Sequence, residues 1–380
     1  MITNQKKHRK HGKTVRAKFG QFGRNELAIL GTPCDVIKDL ADKIVQSLPD
    51  KKTAYIDADH QTKPGEKSTF LESGADIFAA DKIEFFRYDY ANSHDRYQRN
   101  QIFNEMDLVI INGNHFIGDA QIVVLDEKKP LEKKLSKITN PVLVLNNSQK
   151  EEIPAYLIEN FPKIQTLPIY RLSEIDKILN FINGYLKAST PKLNGLVLTG
   201  GKSTRMNSDK SKLEYHGRPQ WEYLKNLMNE FTDTTYVSCR KDQEHEFATT
   251  ANTIIDSIND LGPYGGILSA FREHPDTAWL TIACDIPLLS PDGLNKLVQN
   301  RNTSKIATAF YNETTEFPEP LITIWEPKAY PVLLHFLSLG YSCPRKVLIN
   351  SDIELIHPDD QQELVNVNNP EEFKNVKKLI

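Results

Sequence analysis

"LVLTGGKSTRMNSDKSK", residues 196–212, joins an apolar run that ends in two glycines to a polar segment with four cations, Lys202, Arg205, Lys210 and Lys212. A short apolar run bounded by Gly-Gly reads as a buried strand that stops in a turn. Strands of this kind belong to parallel sheets with helices on both faces. In open sheets of that type, ligands gather at the carboxyl ends of the strands. Glycine there lets backbone amides approach a ligand and leaves room where a Cβ would stand. The cations that follow suit a polyphosphate, Arg gripping two oxygens at once and Lys acting as a compact charge. A glycine turn followed by a solvated lysine-rich loop is the plainer alternative for the same residues.

Downstream of this stretch, "TTYVS", "TII", "WLTIAC", "IATAFY" and "LITIW" read as strands, with helical patterns between them. One such helix, residues 220–231, carries Trp221, Leu224, Leu227, Met228 and Phe231 on one stripe. Upstream the same alternation occurs in "ELAIL", "TAYID", "IEFFRY", "DLVII", "QIVVL" and "PVLVL". Residues 35–48 form an amphipathic segment there, with Ile37, Leu40, Ile44 and Leu48 aligned. Strand–helix alternation of this kind predicts a mainly parallel sheet covered by helices. A last amphipathic helix near residues 174–186 leads into "KASTPK", which marks a domain boundary near residue 188. The chain therefore divides into a basic tail over residues 1–25, an α/β domain over residues 26–187 and a second α/β domain over residues 188–380. Each domain is three-layered, and 380 residues suffice for two cores of ordinary size.

The net charge of −3 gives no global reason to expect nucleic acid or membrane as a partner. No apolar run reaches the roughly 20 residues of a membrane helix, and the basic N-terminus has no apolar core of a signal peptide. Cys34, Cys239, Cys284 and Cys343 are scattered without metal-ligand spacing, which predicts free thiols and a cytoplasmic protein. Residues 6–24 are cationic, with no acid before Glu26. They read either as a phosphate-contacting arm or as a loosely docked terminus. "HGKT" in this tail precedes the first strand, the wrong side for a phosphate-binding loop.

Two further features lie in the second domain. "LTIACDIPLL" ends a buried strand in Asp285, a carboxylate suited either to Mg2+ or to capping a turn. "IIDSINDLGPYGGILSAF" ends a short strand in Asp256, and Gly262, Gly265 and Gly266 read as a loop before a helix. Together these phrases resemble the molybdenum cofactor guanylyltransferases, within a nucleotidyltransferase family with the signature L-x-G-G-x-S-x-R-M-G-x-D-K. The chain has Leu198, Gly200, Gly201, Ser203, Arg205, Met206, Asp209 and Lys210 in register. "CDIPLL" matches the family's C-D-x-P, and "VNVNNPEEF" matches N-x-N-T-P-E-E-L through Asn366 and Asn368. Asn207 stands in place of a glycine and Tyr264 in place of a leucine. "FPEPLITIW" carries an extra Glu-Pro, so Glu319 receives no role. The resemblance implies a Rossmann-like nucleotidyltransferase fold and Mg2+-dependent transfer of GMP from GTP to the phosphate of molybdopterin, with release of pyrophosphate. It implies that Lys210 meets phosphate charge at the reacting centre, Arg205 grips the leaving pyrophosphate and Asp285 holds the Mg2+. Leu198, Thr199, Gly200 and Gly201 are then expected at the base and ribose, and Ser238 and Asp256 at the nucleoside. Asn366 and Asn368, with Arg345 and Lys346, are expected at the pterin or its phosphate.

In the first domain "DLVIINGNHF", "TFLESGADIFAA" and "YIDADH" resemble the adapter GTPase of molybdenum cofactor maturation. Its phosphate-binding loop is missing: "ELAILGTPCDVIKDLADKIV" has Gly31 but no GxxxxGK[ST], and Asp35 opposes phosphate. The expectation is a P-loop-type fold without nucleotide hydrolysis, serving to dock cofactor-synthesis proteins or apo-molybdoenzymes. Polar residues at strand tips, Asp57, Asp59 and His60, then Asn112, Asn114 and His115, read as a ligand or metal site or as capped turns. Two rival functions stay open at this stage. One is a related nucleotidyltransferase using CTP on molybdopterin or a nucleotide on a sugar phosphate; "LTGG" fits the guanylyl group better. The other is a non-catalytic carrier of the cofactor, for which an intact Lys210 and Asp285 would be superfluous.

Overall fold

The computed structural model describes residues 20–58, 68–150, 152–199, 210–258 and 260–380. Its first sheet contains β1 (Asn25–Leu30), β2 (Thr53–Ile56), β5 (Leu108–Asn112), β6 (Ala120–Leu125), β7 (Pro141–Asn146) and β8 (Ile169–Arg171). The strand order is β2-β5-β1-β6-β7-β8, parallel throughout. β5 and β6 are buried along their whole length, the result of helices on both faces. The helix Cys34–Gln46 lays Ile37, Leu40, Ala41 and Ile44 on the sheet, a stripe with the 3.6-residue period.

Between β2 and β5 the chain departs from the expected alternation. β3 (Ile77–Asp81) and β4 (Phe86–Tyr90) pair with each other as a separate antiparallel ribbon. Its side chains alternate, leaving Ile77, Phe86, Tyr88 and Tyr90 exposed on one face. "IEFFRY" is thus a strand, but not one of the main sheet.

The second sheet contains β9 (Leu193–Leu198), β10 (Thr235–Cys239), β11 (Asn252–Ile255), β12 (Ala278–Ala283), β13 (Ala307–Asn312), β14 (Phe317–Trp325) and β15 (Glu354–Ile356), in the order β11-β10-β9-β12-β14-β13-β15. β11, β10, β9 and β12 are parallel, while β14 runs antiparallel between β12 and β13. The first crossovers leave β9 towards β10 and return to β12 on its other side. The carboxyl end of β9 is therefore the topological switch point, where a crevice opens. The opening stretch of sequence ends there.

The domains meet along a polar seam. Lys328, fully buried, donates to Asp107 Oδ1 at 2.6 Å and to the Glu105 carbonyl at 3.1 Å. Lys52 pairs with Asp352 at 2.9 Å, and Lys51 donates to Ser304 Oγ at 3.1 Å. The backbone N–H groups of Gly20 and Phe22 donate to the Asp276 carboxylate at 3.2 and 2.8 Å. The last residues assigned to the basic tail are thus docked on the second domain, and Arg24 is buried beside Glu26. The rest of that tail lies outside the described residues. Among the described residues, no helix is long and apolar enough to cross a membrane.

Candidate active site

The crevice at the end of β9 collects acids and amides from four segments distant in sequence. Asp285 follows β12 by two residues, carried there by a wholly buried strand. Lys210 opens a short helical turn, and its Nζ stands 3.3 Å from Asp285 Oδ2 while donating to Asn368 Oδ1 at 2.8 Å. Asp285 itself is anchored by its carbonyl, which accepts from Val367 N–H at 2.8 Å and so brings the "VNVNN" segment alongside. Burial pushes the Asp285 carboxyl above its ordinary range, and the Lys210 charge pulls it back. Among the described residues, Asp285 Oδ1 and Asn366 Oδ1 are buried without a hydrogen-bond partner. Unmade hydrogen bonds on buried acceptors are costly, so such atoms mark a place prepared for something else.

A second cluster lies on the other side of the strand tip. Ser238, the penultimate residue of β10, donates its hydroxyl to Asp256 Oδ1 at 2.6 Å. Burial raises the Asp256 carboxyl and this hydrogen bond opposes the rise. Thr199 donates both its hydroxyl, at 2.6 Å, and its N–H, at 3.3 Å, to the Ser238 carbonyl. The Leu198 carbonyl accepts from Cys284 N–H at 3.3 Å. The Thr199 N–H and the Leu198 carbonyl each make a hydrogen bond to a neighbouring segment. Gly200, Gly201, Ser203, Arg205, Met206, Asn207 and Asp209 lie outside the described residues.

The structure corrects the glycine loop. Gly265 and Gly266 lie inside the helix Pro263–Glu273, fully buried, with Gly262 ahead of it at φ 55°. They are needed for close packing: a Cβ on Gly266 would meet Ser238 Oγ at 2.6 Å and Leu198 Cδ2 at 2.9 Å. Tyr264 does not face a substrate either. It is buried in the core with its hydroxyl donating to the Leu333 carbonyl at 2.7 Å.

Arg345 reaches the cluster and Lys346 does not. Arg345 Nη2 stands 3.6 Å from Glu319 Oε2, whereas Lys346 Nζ sits over the Tyr341 ring at 4.8 Å. Two residues to which the sequence assigns no role join the site. Tyr215 packs on Phe373, and burial together with the Asp285 charge pushes its phenol up. Glu319, fully buried on β14, faces both Arg345 and the field of Asp285. Glu319 lies on β14, the antiparallel neighbour of β12, whose pairing ends at Ile282 with Ile322.

The polar residues of the first domain mostly satisfy one another. Asn112 donates to Asp57 at 2.7 Å, Tyr55 hydroxyl to Asp57 at 2.8 Å, and Asn114 to the Thr32 carbonyl at 2.9 Å. His115 Nε2 lies 3.5 Å from Cys34 Sγ. Asp35 is exposed in the first turn of its helix, while Thr32 donates to Asp126 at 2.6 Å beside it. Asp59 and His60 lie outside the described residues. Among the described residues no three His, Cys, Asp or Glu side chains converge on a metal position in either domain. Mg2+ commonly takes one or two carboxylates and completes its shell with substrate phosphates and water. The unpartnered Asp285 Oδ1 fits that mode.

Residues 195–353 match the MobA-like NTP transferase domain family. The "Molybdenum cofactor biosynthesis bifunctional protein" of Synechocystis sp. is 33% identical over 198 residues, which cover 52% of this chain and 57% of that protein. The "Molybdenum cofactor guanylyltransferase" of Pseudomonas fluorescens is 26% identical over 184 residues, covering 48% of this chain and 92% of that protein. Among solved structures, molybdopterin-guanine dinucleotide biosynthesis protein A from Archaeoglobus fulgidus overlays with a TM-score of 0.42 at 19% identity, covering 49% of this chain and 97% of that one. The chain thus spans little more than half of the Synechocystis relative and nearly all of the Pseudomonas one.

Proposed function

With residues 195–353 as a MobA-like NTP transferase domain, we propose that the chain transfers GMP from GTP to the phosphate of molybdopterin and releases pyrophosphate. The observation that carries this reading is the Lys210–Asp285 pair at the end of β12, with one carboxylate oxygen buried and unpartnered. A cation and a metal-competent carboxylate in one crevice match the needs of phosphoryl chemistry.

The acceptor phosphate is a monoester whose second pKa lies near 6, so it is already largely a dianion at neutral pH. No general base is required. Catalysis then rests on alignment of the two phosphates and on cancelling their charge. Lys210 faces the α-phosphate oxygens, and Asn368 fixes its ammonium by accepting one of its protons. Asp285 would hold Mg2+ through Oδ1; bound there, the ion would neutralise charge on the donor phosphates. Arg205 is assigned to the leaving pyrophosphate from the sequence motif. Asp256, oriented by Ser238, lines the nucleoside pocket. Arg345 receives the acceptor's phosphate, and Asn366 offers a buried acceptor to the pterin. The first domain serves as a docking module, held to the transferase by the Lys328–Asp107 seam.

Pyrophosphate release measured with GTP or CTP, with and without molybdopterin and Mg2+, tests the reading. Release only with GTP, molybdopterin and Mg2+ together is expected. Lys210→Ala and Asp285→Ala should each lower turnover by about 10²–10³-fold, the usual effect of losing one preorganised charge contact. Preference for CTP would move the chain to the cytidylyl relatives. No release with either nucleotide would leave a carrier.

A further inference from the structure

Glu319 is a carboxylate with 0% exposure in a domain whose proposed chemistry assigns roles to Asp285 and Asp256 and none to a third acid. Its Oε1 accepts from Leu321 N–H at 3.2 Å, and its Oε2 accepts from Asn312 Nδ2 at 3.2 Å. Oε2 also stands 3.6 Å from Arg345 Nη2. Taking an ionised carboxylate out of water carries a large desolvation cost, which neutral donors at 3.2 Å offset only in part. Both of its oxygens serve as acceptors, which a Gln could not reproduce, since its amide nitrogen would face the Asn312 Nδ2 donor. Burial pushes the carboxyl up, and the cation that opposes the rise is Arg345.

Arg345 is only partly committed by this contact. Its side chain is about a third exposed, its Nε is buried without a partner among the described residues, and a guanidinium carries five donors in a fixed fork. Glu319 engages one edge of the fork and leaves the rest for a bidentate oxyanion. Glu319 lies in the field of Asp285, so that Lys210–Asp285 and Arg345–Glu319 stand as neighbouring cation–carboxylate pairs. In-line transfer between two phosphates requires two anions to be brought together, with a cation for each.

We propose that Glu319 is a positioning residue that orients Arg345 to bind the phosphate monoester of the acceptor. The claim rests on the transfer reading for the identity of the acceptor, but the phosphate site can be measured without turnover. The probe is inorganic phosphate, titrated into the full chain with 15N-labelled arginine, the Arg345 Nε–H signal being assigned by its loss in Arg345→Lys. The wild type should show a saturable shift of that signal. Glu319→Gln, which keeps the shape and removes the charge, should need at least tenfold more phosphate for the same shift. In transfer assays the same variant should raise the acceptor KM about tenfold and leave the GTP KM unchanged. In calorimetric titration with phosphate, which needs no Arg345 signal, Arg345→Ala should weaken binding by a similar factor, and adding Glu319→Gln to it should cause no further loss, because the two act as one unit. Arg345→Ala tests the site even if Glu319→Gln folds poorly. Additive losses, an unchanged phosphate affinity in either variant, or no shift in the wild type would each overturn the proposal. Phosphate binding with the expected variant effects, but no pyrophosphate release, would remove the transfer reading alone.

Discussion

Asp256 shows how a single group couples stability and function in opposite senses. Its carboxyl is raised above the ordinary 3.8 by burial, with the Ser238 hydroxyl and the Arg240 charge in opposition. An acid whose folded pKa is raised contributes stability that is fully present below its unfolded value. That contribution is lost as pH rises through the folded value. At neutral pH the ionised Asp256 therefore strains the domain. Asp256→Asn keeps an acceptor for Ser238 and removes the charge, so the variant should melt above the wild type at pH 7. Each kcal/mol recovered is worth roughly 2–4 °C. The gap should shrink as pH falls towards 4, while GTP affinity of the variant drops at every pH. Melting curves across that range, with and without GTP, check both signs; a gap that widens on acidification would refute the assignment. At this scale the sequence was informative wherever a polar residue ends a strand or stands in a motif, as with Lys210, Ser238, Asp256, Asp285 and Asn368. It gave no role to Glu319, because what matters there is Arg345 and Asp285, brought near from distant positions by the fold. Nor did it give a position to the Tyr264 phenol, which donates to the distant Leu333 carbonyl.

The helix Pro263–Glu273 shows why elements are easier to find than to aim. Glycine pairs punctuate chains, so Gly265 and Gly266 read as loop. Here they are helical because another element must come close. The helix crosses the tips of β9 and β10 so tightly that a Cβ on Gly266 would enter the Ser238 hydroxyl. Gly266→Ala should therefore cost about 1–3 kcal/mol by overpacking, and should weaken GTP binding by displacing the hydroxyl that orients Asp256. Gly184 is the matched control. It lies exposed within the helix Ile175–Ala188, with nothing within 4 Å of its would-be Cβ. Gly184→Ala should stabilise by about 0.5–1 kcal/mol through helix propensity alone. Urea denaturation of the two variants should move the midpoints in opposite directions. The same gap between period and environment explains the β3–β4 ribbon. Its alternation identifies strands, but nothing local says that they pair with each other outside the main sheet. β14 is legible as a strand in the same way, and its antiparallel insertion between β12 and β13 is not.

On the scale of the whole molecule, the sequence reads as two α/β units and says nothing of how they are joined. Lys328 and Asp107 are 221 residues apart, and each alone reads as an ordinary surface charge. Folded, their side chains are 2% and 10% exposed. Burial lowers the Lys328 pKa, and the Asp107 charge holds it up. Asp107 is also tied to the first domain through Lys52 N–H, which it accepts at 2.8 Å. Removing one partner of such a pair leaves an uncompensated charge at about 3–5 kcal/mol, whereas replacing both is often close to neutral. Lys328→Met should therefore destabilise strongly, and in calorimetry should split a shared transition into two as the seam loosens. Lys328→Met with Asp107→Asn should recover most of the loss, because Asn still accepts from Lys52 N–H and no charge is stranded. What remains should reflect the Glu105 carbonyl, which loses its donor in either variant. Additive losses in the two single variants would mean that the domains are held together elsewhere, by contacts such as Lys52–Asp352 or the Asp276 clasp on Gly20 and Phe22. Coupling of several kcal/mol between the sites would identify the Lys328–Asp107 pair as the element through which the first domain is held to the transferase.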